Sequence, residues 1–425
     1  MFKLKQPVTR SLALAIGILA LSACADPDSA PTLDVLAKRI DPERPIIRSP
    51  KCAELPASGS HPKGAQFQAI LERYAAQAWL PGVAAAILSP EGAWSGAAGL
   101  ADIDQRIAMH PCHAFLSGSV AKFYTVVAAL QLVEQGLLGL DEPIAPHLPS
   151  ELASQLPNAG HATVRQLMNH QAGMPDQDND PALEAYVLEH EGGLPSAQEQ
   201  LATLFDDPPR FAPGTATEYS SAHTVALGLV MDEVAGHHHS NQITIGILQR
   251  LGLHDTWYKN EVDYPQPRNW ARPYLWDEGS LADVSAPAAR YALGSQGDAG
   301  IYATVADYLR AMKGLFDGRL VSAQTLARMQ EPAMVGEVGN QSLAFGLGLF
   351  LISRDGEVVK IGHSGLTLGG MMHLYYYPKL QSFVVVAANV MADAPEIQAA
   401  FGNGLLVDTP APTLMTEIEA AISSP

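Results

Sequence analysis

Cysteine is scarce: three residues among 425, too few for a disulfide-built scaffold. A chain of this length buries a large core without one. Positive charge is also short, with 26 Lys and Arg against 44 Asp and Glu and a formal net charge of −18. Such a chain has no electrostatic reason to seek phosphate backbones, which argues against general nucleic-acid binding. Charged residues make up 16% and apolar residues 47%, a globular balance that disfavours disorder, collagen-like repeats and coiled coil. No repeat of fixed period is evident. Beyond the first thirty residues no stretch approaches the ~20 apolar residues of a membrane span. There is no P-loop, G-x-G-x-x-G, H-E-x-x-H or G-x-S-x-G with a central Ser, so the commonest nucleotide, zinc-protease and nucleophile-elbow signatures are missing. Length alone suggests two or three domains at roughly 150 residues each.

What is present begins at the N-terminus. Lys3, Lys5 and Arg10 precede an apolar run from Ser11 to Leu21. That is about half a membrane span and reads as a signal-peptide core. It ends in Leu21-Ser22-Ala23-Cys24, which resembles the lipobox of bacterial lipoproteins. An ordinary secretory signal with a chance cysteine accounts for less of the pattern. The resemblance implies removal of residues 1–23, lipidation of Cys24 and a periplasm-facing protein of the bacterial cell envelope, with Ala25 after the cysteine favouring the outer membrane. Removal takes three positive charges and no negative ones, deepening the net charge from −18 to −21. A Cys24→Ser protein that still fractionates with membranes would refute the anchor. Cys52 and Cys112 would sit in an oxidising compartment, where they either pair or remain two free thiols. Residues 24–62 carry seven Pro and little periodicity, and read as a tether.

From residue 63 the pattern is globular. Lys63–Trp79 has helical spacing, Gly82–Leu88 and Ala93–Ile103 read as a hairpin, and Ser119–Gln135 as a helix with one apolar face. Between about Leu140 and Met334 the pattern is short helices with little strand character. Leu343–Ser353, Glu357–Gly362, Met371–Tyr377 and Phe383–Asn389 then read as four strands, followed by a helix from about Pro395. Strands at both ends of a helical insert predict an α/β part (about 63–139 and 335–408) and an α subdomain (about 140–334).

Chemistry enters at Ser119-Val120-Ala121-Lys122. Positions i and i+3 of a helix share a face, so the Lys amine reaches the Ser hydroxyl, a weak nucleophile that needs a base. The bland alternative is a capping Ser followed by an exposed Lys. A second match, Ser60-His61-Pro62-Lys63, lies in the Pro-rich tether. Further on, Tyr219-Ser220-Ser221 opens an apolar helix and offers a Tyr that shares protons with a Lys–Ser pair. Ile361-Gly362-His363-Ser364-Gly365 ends a strand-like run at a Gly-rich turn, where backbone N–H groups can form an oxyanion hole.

The order and spacing of these three motifs resemble the penicillin-recognising serine hydrolases, in the branch of class C β-lactamases, serine D-Ala-D-Ala carboxypeptidases, D-aminopeptidases and esterases. Thr163–Pro175 resembles that branch's T-I-x-x-L-L-x-H-x-S-G-L-P segment, and Ala299–Asp307 its G-G-L-x-S-T-x-x-D segment; the likeness spans about Lys63 to Ala400. It implies an antiparallel sheet flanked by N- and C-terminal helices, plus an all-α subdomain. It also implies Ser119 as acylated nucleophile, Lys122 as activator, Tyr219 as proton shuttle, and an oxyanion hole from the N–H groups of Ser119 and Leu366. Ser221, His363 and Gly365 would contact substrate, and no cofactor is required. The substrate is an ester, D-amino-acid amide or peptide; the alternatives are a β-lactamase and a non-catalytic, penicillin-binding-like scaffold of the envelope.

Two departures lower the odds of an efficient β-lactamase. The family's frequent Tyr-x-Asn is Tyr219-Ser220-Ser221, and the Lys-Thr-Gly of class C enzymes is His363-Ser364-Gly365. A neutral His attracts a substrate carboxylate less than Lys. A literal Tyr258-Lys259-Asn260 falls outside the expected order. His237-His238-His239 is expected to hold no metal, because adjacent residues of a helix do not converge on one ion. His170 reads as a hydrogen-bonded turn residue rather than a base.

Overall fold

The computed structural model describes residues 61–77, 80–258, 269–277, 280–338, 340–392, 401 and 413–424. Cys24, Cys52 and most of the segment expected to form a helix from Pro395 lie outside them. Cys112 is disulfide-bonded.

The chain opens with helix α1 (Gly64–Gln77) and strands β1 (Gly82–Ser89), β2 (Gly92–Asp102) and β3 (Ile107–Ala108). A turn of 3-10 helix (Gly118–Val120) leads into α2 (Ala121–Glu134). Helical segments follow, including α3 (Ser221–Ala235) and α4 (Val305–Phe316). Six strands then run in succession: β4 (Ala333–Val338), β5 (Gln341–Phe345), β6 (Phe350–Arg354), β7 (Glu357–Thr367), β8 (Gly370–Tyr377) and β9 (Ser382–Ala388), with α5 (Leu414–Ser423) last. The main sheet is nine-stranded and antiparallel, ordered β3-β2-β1-β9-β8-β7-β6-β5-β4.

Alternation along β1 assigns the two faces. Val83, Ala85 and Ile87 join a core with α1 and α5, while Ala84 and Ala86 join a larger core with α2, α3 and α4. The sheet therefore lies between the terminal helices and the helical region, as the resemblance implies. Helix α2 differs from the amphipathic helix expected: Ala121 to Leu132 are all buried. A helix buried all round lies at the centre of a core.

The sequence reading missed three features. Leu343–Ser353 is two strands, because Gly346 to Leu349 turn the chain; Gly348 adopts φ +66°, which favours glycine. Strand β7 runs five residues past Gly362. The region assigned only short helices also contributes to two small sheets. Ala114–Leu116 pairs with Tyr302–Thr304, which pairs with Thr256–Trp257; Tyr274–Asp277 lies between Val390–Ala392 and Ser280–Asp283. Strands of two to four residues are too short for period-2 alternation to register.

Candidate active site

Ser119 sits in the 3-10 turn before α2 rather than in the helix itself, and Gly118 just before it adopts φ +48°. The approach is clamped from two sides. Ser117 donates its N–H to the Ile301 carbonyl (2.8 Å) and accepts from the Ile301 N–H at its Oγ (3.2 Å). The Tyr308 hydroxyl donates to the carbonyls of Phe115 (3.0 Å) and Ile301 (3.1 Å). Ala299–Asp307 is thus a support for the Ser119 turn, with Thr304 capping α4 through the Asp307 N–H.

Lys122, 2% exposed, donates to Ser119 Oγ and to the Asp298 carbonyl, both at 3.2 Å. A buried ammonium requires compensation. Burial pushes its pKa down, but Tyr219, Asp298 and Asp178 around it more than offset this and raise it above the ordinary value.

Tyr219 is carried in just before α3 by a loop held against Thr163–Pro175. Gly214 and Glu218 donate their N–H groups to the carbonyls of Gln171 (2.9 Å) and His170 (3.1 Å). His170, at φ +59°, stacks its ring 4.5 Å from that of Tyr219. His170 Nδ1 accepts from the Ser220 N–H (3.3 Å) and meets His223 Nδ1 at 3.1 Å, while His223 Nε2 accepts from the Met174 N–H (3.3 Å). That set of partners assigns the proton to His223 Nδ1 and leaves His170 Nδ1 an acceptor. Burial and the neighbouring His223 hold His170 well below its ordinary pKa, so it is neutral. It is a turn residue, as expected, and also a platform for Tyr219. The Tyr219 hydroxyl is buried and meets no hydrogen-bond partner at normal geometry, although it faces both Lys122 and Ser119. Burial raises its pKa, with the Lys122 charge opposing.

Strand β7 completes the arrangement. Its pairing with β6 ends at Gly362, while pairing with β8 continues to Thr367, so residues 363–367 turn one edge away from β6 and toward the Ser119 turn. Gly365 is required by this approach, since a Cβ there would lie 1.9 Å from the Ser117 carbonyl oxygen and 3.3 Å from the Ser119 nitrogen. Gly118 in turn faces the Leu366 backbone, at 2.6 Å for a Cβ to the carbonyl oxygen.

A cavity of about 820 Å3 opens over this group, and Ser119, Lys122, Tyr219, Ser221 and Leu366 all line it. His363 does not. It is 1% exposed, stacked on Phe350 at 4.0 Å with Nδ1 2.5 Å from the Ser364 carbonyl, and burial lowers its pKa to about 3. Ser221 is turned to a partner unforeseen in the sequence: its N–H donates to Asp176 Oδ1 (2.9 Å). Asp176, Asp178 and Asp298 line the same cavity. The readable signal was the alternating Asp of Pro175-Asp176-Gln177-Asp178-Asn179-Asp180, directly after the segment Thr163–Pro175.

Two other sequence features fall elsewhere. Tyr258 is wholly buried with its hydroxyl on His239 Nε2 (2.8 Å), and Lys259 and Asn260 lie outside the described residues. His238 caps the short helix His239–Ile243 instead of lying within it, so donor atoms of Asp232, His238 and His239 do gather within 4.8 Å. That corrects the reason given for expecting no metal. Both ring nitrogens of His239 are nevertheless engaged, Nδ1 by Asp232 (3.0 Å) and Nε2 by Tyr258.

The chain is 26% identical to penicillin-binding protein 4 of Amycolatopsis lactamdurans, over 70% of this chain and 78% of that one. It is 28% identical to esterase EstB of Burkholderia gladioli, over 60% and 70% of the two chains. Its fold is shared with a penicillin-binding protein from Bacillus halodurans (TM-score 0.66, 24% identity, 79% of this chain and 97% of that one). It is shared equally with the D-amino acid amidase of Ochrobactrum anthropi SV3 (TM-score 0.65, 24% identity, 78% and 92%). Residues 67–408 match the Beta-lactamase family, and the chain accordingly belongs to that family of penicillin-recognising serine hydrolases.

Proposed function

We propose that the protein hydrolyses a carboxylic ester or amide through an acyl-enzyme on Ser119. The observation that carries this reading is the Ser119–Lys122 contact beneath an open cavity, with the Tyr219 hydroxyl facing both. In the form of the pair that is one proton short, a Tyr219 phenolate held by the Lys122 ammonium, Ser119 Oγ bonds to the acyl carbon as its proton passes to Tyr219, and the pair returns that proton to the departing alcohol or amine as the acyl C–O or C–N bond breaks. The Ser119 and Leu366 N–H groups, brought together by Gly118 and Gly365, hold the developing oxyanion. Water then cleaves the acyl-enzyme, giving one proton to the pair, from which Ser119 recovers its own. The esterase and amidase names among the relatives support both leaving groups.

A fluorophosphonate probe should label the protein stoichiometrically, with the mass added on the peptide carrying Ser119; labelling elsewhere, or none, would sink the reading. Tyr219→Phe separates the proton shuttle from mere packing, since it removes the hydroxyl and keeps the ring on His170. Its kcat should fall about 10²–10⁴-fold on an anilide, whose amine must leave protonated, and distinctly less on a p-nitrophenyl ester, whose phenolate leaves unaided. Equal losses on both would assign Tyr219 a structural part only.

A further inference from the structure

Helix α3 ends with its charges opposed to what its dipole favours. Asp232 and Glu233 stand in the last turn with no basic residue beside them, although the C-terminal end of a 15-residue helix attracts cations. Gly236 follows at φ +70°, a left-handed conformation that suits glycine, and reverses the chain. His238 then caps the short helix His239–Ile243, and the reversal brings both histidines back against Asp232. Donor atoms of the three side chains lie within 4.8 Å of one another. Asp232 Oδ1 accepts the His239 backbone N–H and stands 3.0 Å from His239 Nδ1. The rings of His238 and His239 lie side by side, with centroids 4.1 Å apart. None of the three residues lines the cavity over Ser119.

We propose that Asp232, His238 and His239 bind a divalent transition-metal ion of the zinc class, as a structural brace remote from the reaction cavity. Two imidazoles and a carboxylate are a zinc-type donor set, whereas calcium and magnesium want oxygen ligands throughout. Bonds of about 2.0–2.2 Å let two ligands of one zinc ion stand up to about 4 Å apart. The contact between Asp232 and His239 is already within that reach, and small rotations close the rest of the set. The engagement of both His239 nitrogens fits this arrangement. Nδ1 meets the other ligand, and the ion takes the place between them. Nε2 meets the Tyr258 hydroxyl at 2.8 Å, the kind of outer partner that fixes the ring and tautomer of a metal-bound histidine. With the ion in place, His239 carries its proton on Nε2 toward Tyr258 and turns the Nδ1 lone pair to the metal. His239 is 1% exposed and Tyr258 is wholly buried, so packing holds this ring in its ligating orientation. The ion also answers Asp232, Glu233 and the negative end of α3 together.

A brace here reaches further than its own turn. It ties the end of α3 to the short helix behind it, and Tyr258 extends the link to the Gly297 N–H that its hydroxyl faces. Thr125 Oγ1 donates to the Gly297 carbonyl at 2.6 Å, and the next residue, Asp298, offers its carbonyl to Lys122. Binding to the folded chain alone raises its stability by mass action.

The test uses the protein without an affinity tag, stripped with EDTA and dialysed. Zn2+ titrated in competition with a chromogenic chelator should bind at one ion per chain, and excess Zn2+ should raise the thermal midpoint by several degrees. Ca2+ and Mg2+ should do neither. Asp232→Asn keeps an oxygen for the His239 N–H and removes the charge, while Tyr258→Phe keeps the ring and removes the outer partner. Tyr258→Phe should weaken Zn2+ binding by about 10–100-fold, and Asp232→Asn by at least about tenfold. His190→Ala, at an exposed histidine elsewhere, should leave binding unchanged. Should Asp232→Asn or Tyr258→Phe fail to fold, His238→Asn, which retains a helix cap, gives the same reading. Absence of Zn2+ binding, binding that survives these substitutions, an equal response to Ca2+, or a midpoint that Zn2+ leaves unmoved overturns the proposal.

Discussion

Ser119→Ala is expected to lower kcat/KM on every ester and amide by at least about 10³-fold while leaving the far-UV spectrum and thermal midpoint close to wild type. The size follows from the role, since removal of a nucleophile leaves only binding and oxyanion stabilisation to act on the substrate. The intact fold follows from the position. Ser119 Oγ receives one hydrogen bond, from Lys122, and the residue lies on the cavity wall rather than in the packed core. Lys122 keeps the Asp298 carbonyl as a partner after the change, so no ammonium is left wholly unpaired. A variant with near-normal turnover would show that another group attacks. A variant that unfolds would show that Ser119 holds the turn, and Ser119→Cys would then be read for slow turnover and thiol-specific acylation.

Gly365→Ala is expected to cost about 10²–10³-fold in kcat, the range for removing one oxyanion donor. Its Cβ would overlap the Ser117 carbonyl oxygen at 1.9 Å, and backbone on both sides leaves no flexible side chain to give way. Strand β7 must therefore withdraw from the nucleophile turn, carrying the Leu366 N–H with it. KM should change less than kcat, because the cavity walls contributed by Asp176, Tyr219 and Tyr291 stay in place. Gly336→Ala is the control: nothing lies within 4 Å of a Cβ there, and activity should be unaltered. If Gly365→Ala turns substrate over at the wild-type rate, the close approach of β7 has no part in catalysis.

The order of chemical parts was legible along the chain, and the physics explains why. A nucleophile with its Lys at i and i+3 is a local relation, set by one turn of helix whether that turn is 3-10 or α. The long strands of the main sheet were legible through their apolar runs, as in Gly-Val-Ala-Ala-Ala-Ile-Leu-Ser of β1. The short strands of the small sheets were not, nor was the all-round burial of α2, which depends on what surrounds it. His363 shows the limit most sharply. Its residue type promised a contact with substrate, but one face of β7 packs on Phe350, and the side chain points into that packing instead of the cavity.

The scarcity of positive charge in the composition acquires a location in the fold. By itself the sequence determined the family, the Ser119–Lys122 pair and the acidity of the chain, because each depends on residue identity and short spacing. Only the tertiary structure decided that Asp176, Asp178 and Asp298, drawn from segments more than a hundred residues apart, line one cavity with Ser119. It alone set a neutral His363 behind the wall. Folding gathers these charges into a partly desolvated cavity, where a Coulomb interaction weak in water gains strength.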